Sequence, residues 1–293
     1  MGSSQQDERD PGHHDDRAER NQQFSEIRHQ EDSKLLAALG HGNETLLKFW
    51  AMRSLCFAAS ALLFAAVGLA QTKAPTKTTT PAEVEITSEP SHHLALQNSY
   101  VRVFQVEVFA GSATLMHRHR HDYVFITLGS AEISNQVEGK APVTLTLHDG
   151  EARATDGGFA HIVRNLAPTS FRTVAIELLQ DEKARQSPPP KWDEERGLHV
   201  LHGGTEDILF VKDGVRVSQI DLQIAGSMPK HHHPGPHLIV ALTDLVLRSD
   251  AVGQAPSNLE MKAGDVKWLD SGLTQTETNV GEKEAKLVIL EFK

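Results

Sequence analysis

The chain has 293 residues, 39% of them apolar, with a net charge of −10, seventeen histidines and one cysteine. That length accommodates one large domain or two of ordinary size with a real core. The acidic balance excludes the basic face that nucleic acid or an anionic membrane surface requires, and a lone Cys56 excludes a disulfide framework or a thiolate zinc site.

Residues 1–51 are polar and rich in charge, cannot bury enough apolar surface to offset the entropy of ordering, and are expected to form a disordered tail that includes His13 and His14. Residues 52–70 turn sharply apolar behind Met52 and Arg53, and the small Gly68 and Ala70 precede Gln71. This is the pattern of a signal peptide, and the run is also near the lower limit of about 17 residues for a spanning helix. The sequence therefore predicts an N-terminal apolar helix and a periplasmic or secreted protein. Membrane anchorage through this segment alone is the alternative if it stays uncleaved. Cys56 precedes the apolar run instead of ending it, which argues against a lipoprotein. Both Met1 and Met52 remain open as the true start. Residues 71–91 resemble an extended Thr/Pro linker.

From residue 92 onward the chain alternates short β-branched and aromatic runs with Gly, Asp, Pro and Asn, and no run keeps a helical period. Examples are 100–110, 122–129, 142–147 and 171–179, then 215–225, 237–248, 266–270 and 286–292. Many short strands with regular turns predict a sandwich or barrel. Residues 182–197, with Pro188, Pro189 and Pro190 and mixed charge, form a strap between two halves.

Those halves are a duplication. A constant shift of 114 residues carries Val101 to Val215, Arg102 to Arg216, Gln105 to Gln219, Gly150 to Gly264, Gly158 to Gly272, Asn165 to Asn279 and Glu177 to Glu291. Aligning Gly111 with Gly226 requires one residue inserted before Gly226 and one lost after it.

The same shift carries His117 to His231 and His119 to His233. Alternate residues of a strand share a face. His117 and His119 therefore project together, with His121, Tyr123, Phe125 and Thr127 on the same parity. Gly157 and Gly158 turn the chain into a strand carrying His161. Two imidazoles from one strand and a third from a partner form a tripod for a divalent metal. His121 is read as a barrel-mouth residue and His232, of opposite parity, as solvent-facing. His92, His93, His148, His199 and His202 show no partner at useful spacing.

These motifs resemble the cupin superfamily. Gly111, His117 and His119 fit the first motif, G-x5-H-x-H-x(3,4)-E-x6-G, with Tyr123 where the glutamate is expected and Gly129 one residue early. Gly150, Gly158, His161 and Asn165 fit the second, G-x5-P-x-G-x2-H-x3-N, with Asp156 in place of proline. Two such halves resemble a bicupin. The resemblance implies an all-β chain of two tandem double-stranded β-helix (jelly-roll) barrels, at 92–181 and 198–293. It implies metal ligands His117, His119 and His161 in the first barrel. In the second it implies His231, His233 and His237, with Gln275 where the last histidine would stand and four residues between Gly226 and His231.

Cupins with three histidines and no carboxylate are similar to thiol and diketone dioxygenases. The resemblance thus implies a non-haem iron dioxygenase acting on a small polar molecule, with Fe2+ as cofactor ahead of Mn2+, Ni2+ or Zn2+. Tyr123 would be its catalytic or ligand-supporting residue, and a homo-oligomer would be compatible. A non-catalytic ligand-binding or structural module is the alternative, as is a metal-dependent isomerase or decarboxylase.

Overall fold

The computed structural model describes residues 82–293. The tail, the apolar segment and residues 71–81 of the linker lie outside the described residues. The rest is all-β. The first half contains β1 (Val84–Glu85), β2 (His92–Gln97), β3 (Val101–Val108), β4 (His117–His119), β5 (Tyr123–Thr127), β6 (Ala131–Val137), β7 (Val143–Leu147), β8 (Ala152–Thr155), β9 (Phe159–Asn165) and β10 (Phe171–Leu178). A short helix, α1 (Asp181–Gln186), leads into the strap. The second half contains β11 (Gly197–Lys212), β12 (Val215–His233), β13 (His237–Ala241), β14 (Leu245–Ala251), β15 (Ser257–Met261), β16 (Val266–Leu269), β17 (Leu273–Asn279) and β18 (Ala285–Glu291).

The first barrel is two facing sheets, ordered β1-β4-β9-β6-β7 and β2-β3-β10-β5-β8. The second repeats this with two differences: β12 is a single 19-residue strand doing the work of β3 and β4 together, and among the described strands none repeats the parallel pairing of β1. Its Arg216–Leu222 part pairs with β18 and its Ser227–His233 part with β17, with a register irregularity between Met228 and His231. Between the two parts Ala225 adopts φ +59. Ala225 is the counterpart of Gly111 (φ +70) under the 114-residue shift, and Gly226 is needed for another reason. A Cβ there would lie 2.3 Å from the Gly203 carbonyl oxygen. The five-residue spacing before the first histidine is therefore kept in both halves, counted from Ala225, and the apparent insertion comes from matching the wrong glycine.

The N-terminal border also moves. Residues 84–91, assigned to the linker from sequence, belong to the first barrel. β1 pairs in parallel with β4, and Ile86 is buried in the barrel core with Phe104 and Val106.

Strands β10, β13 and β18 are apolar at successive positions because both their faces are covered. On β18, Leu287 and Ile289 face the second barrel's interior, while Val288 and Leu290 join a core that also holds Val101, Val103, Val124, Ile126, Val174 and Ile176 of the first half. The two barrels are thus packed back to back through one shared apolar layer. Period-two alternation splits each central strand between that layer and its own barrel. At the edge of the layer Lys212 reaches back to Asp122 (2.8 Å) and Asp156 (2.6 Å) of the first barrel. Burial opposes ionisation of Asp122, but the Gly157 N–H and Lys212 outweigh it and hold the carboxyl down to about 2.

The repeat extends to single hydrogen bonds. The Asn165 side chain donates to the carbonyls of Val108 and Thr169 and accepts from Ala167 N–H. Asn279 does the same with Leu222, Lys283 and Gly281. Asn165 satisfies three backbone groups at the turn into the last strand, and Asn279 satisfies the matching three and also the Gln223 carbonyl. Replacing either by alanine leaves those groups unpartnered in a buried setting, at about 1–3 kcal/mol for each group that water cannot reach. Asn165→Ala and Asn279→Ala are each expected to lower unfolding stability by about 3 kcal/mol. Because the apolar layer is common to both barrels, each is expected to give one cooperative denaturant transition. Two separated transitions would show that the barrels unfold independently.

Candidate metal centre

His117 and His119 lie on β4, and His161 stands directly opposite His117 on β9. All three are buried inside the first barrel. The local sequence explains their orientation. His117 Nδ1 bonds the Leu115 carbonyl at 2.9 Å, and His161 Nδ1 bonds Asn135 Oδ1 at 2.8 Å. With both Nδ1 atoms donating, a neutral ring carries only a lone pair on Nε2. Those two Nε2 atoms face each other at 3.0 Å. Burial pushes His117 down to about 4 and His161 well below its ordinary value, with neighbouring imidazoles adding to the effect. Near neutral pH no proton is held between them. His119 Nδ1 is likewise buried without a hydrogen-bond partner.

The donor set fits a metal ion. For two imidazoles bound at about 2.1 Å and at right angles, the nitrogens lie roughly 3.0 Å apart and the ring centroids about 4.5 Å apart. A tetrahedral angle opens the centroids to about 5.2 Å. The His117–His161 centroids are 4.5 Å apart, His119–His161 5.1 Å and His117–His119 5.2 Å.

One residue that sequence spacing passed over joins His117 and His119. His92, on β2 of the facing sheet, has its centroid 4.7 Å from His117 and 6.3 Å from His119. One ligand atom from each of His92, His117 and His119 lies within 4.8 Å of the other two. Its Nδ1 bonds Glu89 Oε2 at 2.7 Å. No motif flags His92, because its contact depends on how two sheets face each other.

Tyr123, in the motif's glutamate position, stacks on His119 with ring centroids 4.0 Å apart and planes 14° apart. Burial raises its phenol well above the ordinary value, partly offset by a hydrogen bond with Thr155, so the hydroxyl stays protonated. His121 points away from the cluster and pairs with Asp181 at 3.0 Å. His232 is exposed and bonds Thr274.

The second barrel places its residues differently. His231 and His233 lie on β12 with centroids 4.6 Å apart and planes 88° apart. His231 Nδ1 is taken by the Pro229 carbonyl and His233 Nδ1 by Glu291, so both rings turn an unpartnered buried Nε2 inward. Burial opposes ionisation of Glu291, yet His233 and Arg216 hold it down to about 2. His237, on β13, lies parallel to His233 at 4.0 Å and 22° and does not converge with it. Burial lowers His237 to about 3.

Gln275 stands opposite His231, but its Oε1 already accepts from Ser249. Glu277, two residues on along β17, is 3% exposed and brings a carboxylate oxygen to 3.9 Å from His231 Nε2. Burial pushes its carboxyl up to about 7. Sequence matching missed it because its counterpart, Val163, is apolar. A cavity of about 140 Å³ opens beside His231 and His233, with Arg216, Ser218 and Glu206 in its wall.

No family model matches the chain, and no curated protein matches it. Solved structures similar to it include an oxalate decarboxylase variant from Bacillus subtilis, 11% identical over 66% of this chain and 69% of that one, with a TM-score of 0.49. The oxalate decarboxylase of Lactobacillus farciminis in complex with formate is 12% identical over 67% and 78%, TM-score 0.49. A Bacillus subtilis oxalate decarboxylase studied for its Mn(II) centres is 12% identical over 66% and 69%, TM-score 0.48. Likeness at this level assigns no activity.

The buried histidines set a pH dependence for the metal-free protein. The folded His117 value of about 4 lies below the 6.5 of a free imidazole, so between these limits the unfolded chain binds more protons. Stability then rises with pH. Glu277, raised to about 7, works in the opposite direction, so the test is the difference between proteins: urea midpoints of the metal-free wild type should fall relative to those of His117→Gln between about pH 6.5 and pH 4. Parallel profiles across that window would contradict the buried, neutral cluster.

Proposed function

We propose that this chain is a secreted or periplasmic bicupin enzyme with a divalent ion held in the first barrel by His117, His119 and His161, acting as a non-haem iron dioxygenase on a small polar molecule. The observation that carries this reading is the pair of Nε2 lone pairs 3.0 Å apart, with both Nδ1 atoms occupied from behind. Imidazole donors suit iron, nickel, copper and zinc. They are neutral, so a bound ion keeps its full positive charge for an anionic, chelating substrate. A ferrous ion here supplies Lewis acidity and reactivity toward dioxygen.

The chain's own part is positional. The Leu115 carbonyl and Asn135 fix the tautomers of two ligands, as groups behind metal-binding histidines commonly do. Tyr123 stacks on His119 and holds its ring plane, and its protonated hydroxyl serves as a donor or spacer at the site. Apolar barrel walls exclude water from the donor nitrogens.

In the second barrel the same reading gives His231 and His233 as ligands of a more weakly held ion, with Glu277 a better fourth group than Gln275 and His237 adjoining. Extracytoplasmic location rests on the 52–70 segment, and N-terminal sequencing of the mature protein tests it.

Metal analysis with turnover tests the main proposal. Protein reconstituted with Fe2+ without oxygen should retain about one tightly held equivalent. His117→Ala/His119→Ala should lose it, and His161→Ala should bind at least tenfold more weakly. Dioxygen uptake with a panel of small carboxylates, thiols and diketones should appear only in the loaded wild type. Retention of less than about a tenth of an equivalent of any transition metal would overturn the proposal. Tight binding without turnover on any of the panel would favour the non-catalytic module.

A further inference from the structure

We propose that His92 is a fourth imidazole ligand of the first-barrel ion, positioned by Glu89, and that the ion thereby clamps residues 83–92 onto the metal-binding strand. This rests on the first-barrel reading above. It adds a ligand from outside both motifs and a structural consequence of occupancy.

Glu89 is 3% exposed. Its Oε1 accepts from Leu115 N–H at 3.1 Å, and its Oε2 accepts from Ser91 N–H at 2.8 Å and from His92 Nδ1 at 2.7 Å. A carboxylate behind an imidazole fixes which nitrogen faces the metal and raises its basicity. With Nδ1 committed to Glu89, His92 offers Nε2. The Leu115 backbone is shared, since its N–H goes to Glu89 and its carbonyl to His117. One residue's main chain therefore orients ligands from both sheets.

The distances from His92 to His117 and His119, the two rings grouped with it, agree with a shared ion. A right-angle pair of bound imidazoles has centroids about 4.5 Å apart and an opposed pair about 6.4 Å. His92 lies 4.7 Å from His117 and 6.3 Å from His119. That gives His92 a right-angle relation to one ligand and an opposed relation to the other. The motif's carboxylate position is filled by Tyr123, which stacks instead of ligating. His92 thus supplies a fourth donor with no negative charge, which turns metal preference from manganese toward zinc, iron and nickel.

The segment carrying His92 is already laid along β4. Val84 pairs with His117 and its N–H donates to the Met116 carbonyl. Arg118 holds Glu83, and Arg120 holds Glu85. Those outer ion pairs are exposed and individually weak. A metal–His92 bond at the far end of the segment would be its strongest tether.

The test uses Co2+ as a visible-spectrum probe, with chelator competition for affinity and hydrogen exchange for residues 83–92, on wild type, His92→Ala, His92→Phe and Glu89→Gln. His92→Phe keeps a ring against Phe104 and His117 but cannot ligate, so it separates packing from coordination. The expected result is a 10- to 100-fold loss of Co2+ affinity in both His92 variants, with an altered ligand-field spectrum, and a smaller loss in Glu89→Gln. Metal is expected to slow exchange over 83–92 in wild type and not in His92→Phe. Wild-type affinity and spectrum in His92→Phe would overturn this inference while leaving the three-histidine centre standing. Failure of wild type to bind Co2+ at all would remove both.

Discussion

Two imidazole nitrogens, each with its other nitrogen already used, point their lone pairs at one another across 3.0 Å. Such a contact is repulsive between neutral rings that both carry their proton on Nδ1, and a cation between them relieves it. A proton is disfavoured there, because burial holds His117 near 4 and His161 well below its ordinary value. Everything around the pair serves to maintain it. Strands β4 and β9 are in register at these two residues, Asn135 and Leu115 fix the rings from behind, and the facing sheet closes the space with His92 and Tyr123. An apolar interior could have been built more simply from valine and leucine. Keeping buried imidazoles costs stability that a bound ion would return.

The duplication shows which parts of the fold are scaffold and which are chemistry. Asn165 and Asn279 share three matching hydrogen bonds, and Gly158 and Gly272 donate equivalently to the carbonyls of His119 and His233. The two sites have nonetheless diverged. In the second barrel the return histidine is Gln275, a stacked His237 replaces Tyr123, and Glu277 introduces a buried carboxylate. One barrel carries a neutral donor set drawn together, and the other a mixed set around an open cavity. A common apolar layer joins the halves even though their sites differ.

Much of this was legible in the residues. The repeat, the short strands, the alternating histidines on one strand and the return histidine after Gly158 are all patterns along the chain, where period and spacing speak directly. What escaped depended on relations between strands. His92 sits 25 positions before His117 with no motif joining them, and only the stacking of the two sheets brings them together. Glu277 is hidden by the apolar Val163 at its repeat position. Gly226 attracted the alignment because it is a glycine, whereas the left-handed turn is made by Ala225. The buried Ile86 lies in a stretch whose Thr/Pro composition, a few residues upstream, suggests a linker.

Anomalous diffraction from crystals of the protein loaded with Zn2+ or Co2+ tests the central geometry most directly. A single strong peak about 2.1 Å from Nε2 of both His117 and His161 is the predicted result. Diffraction showing no metal there, with those two nitrogens joined by a hydrogen bond or turned apart, would contradict it.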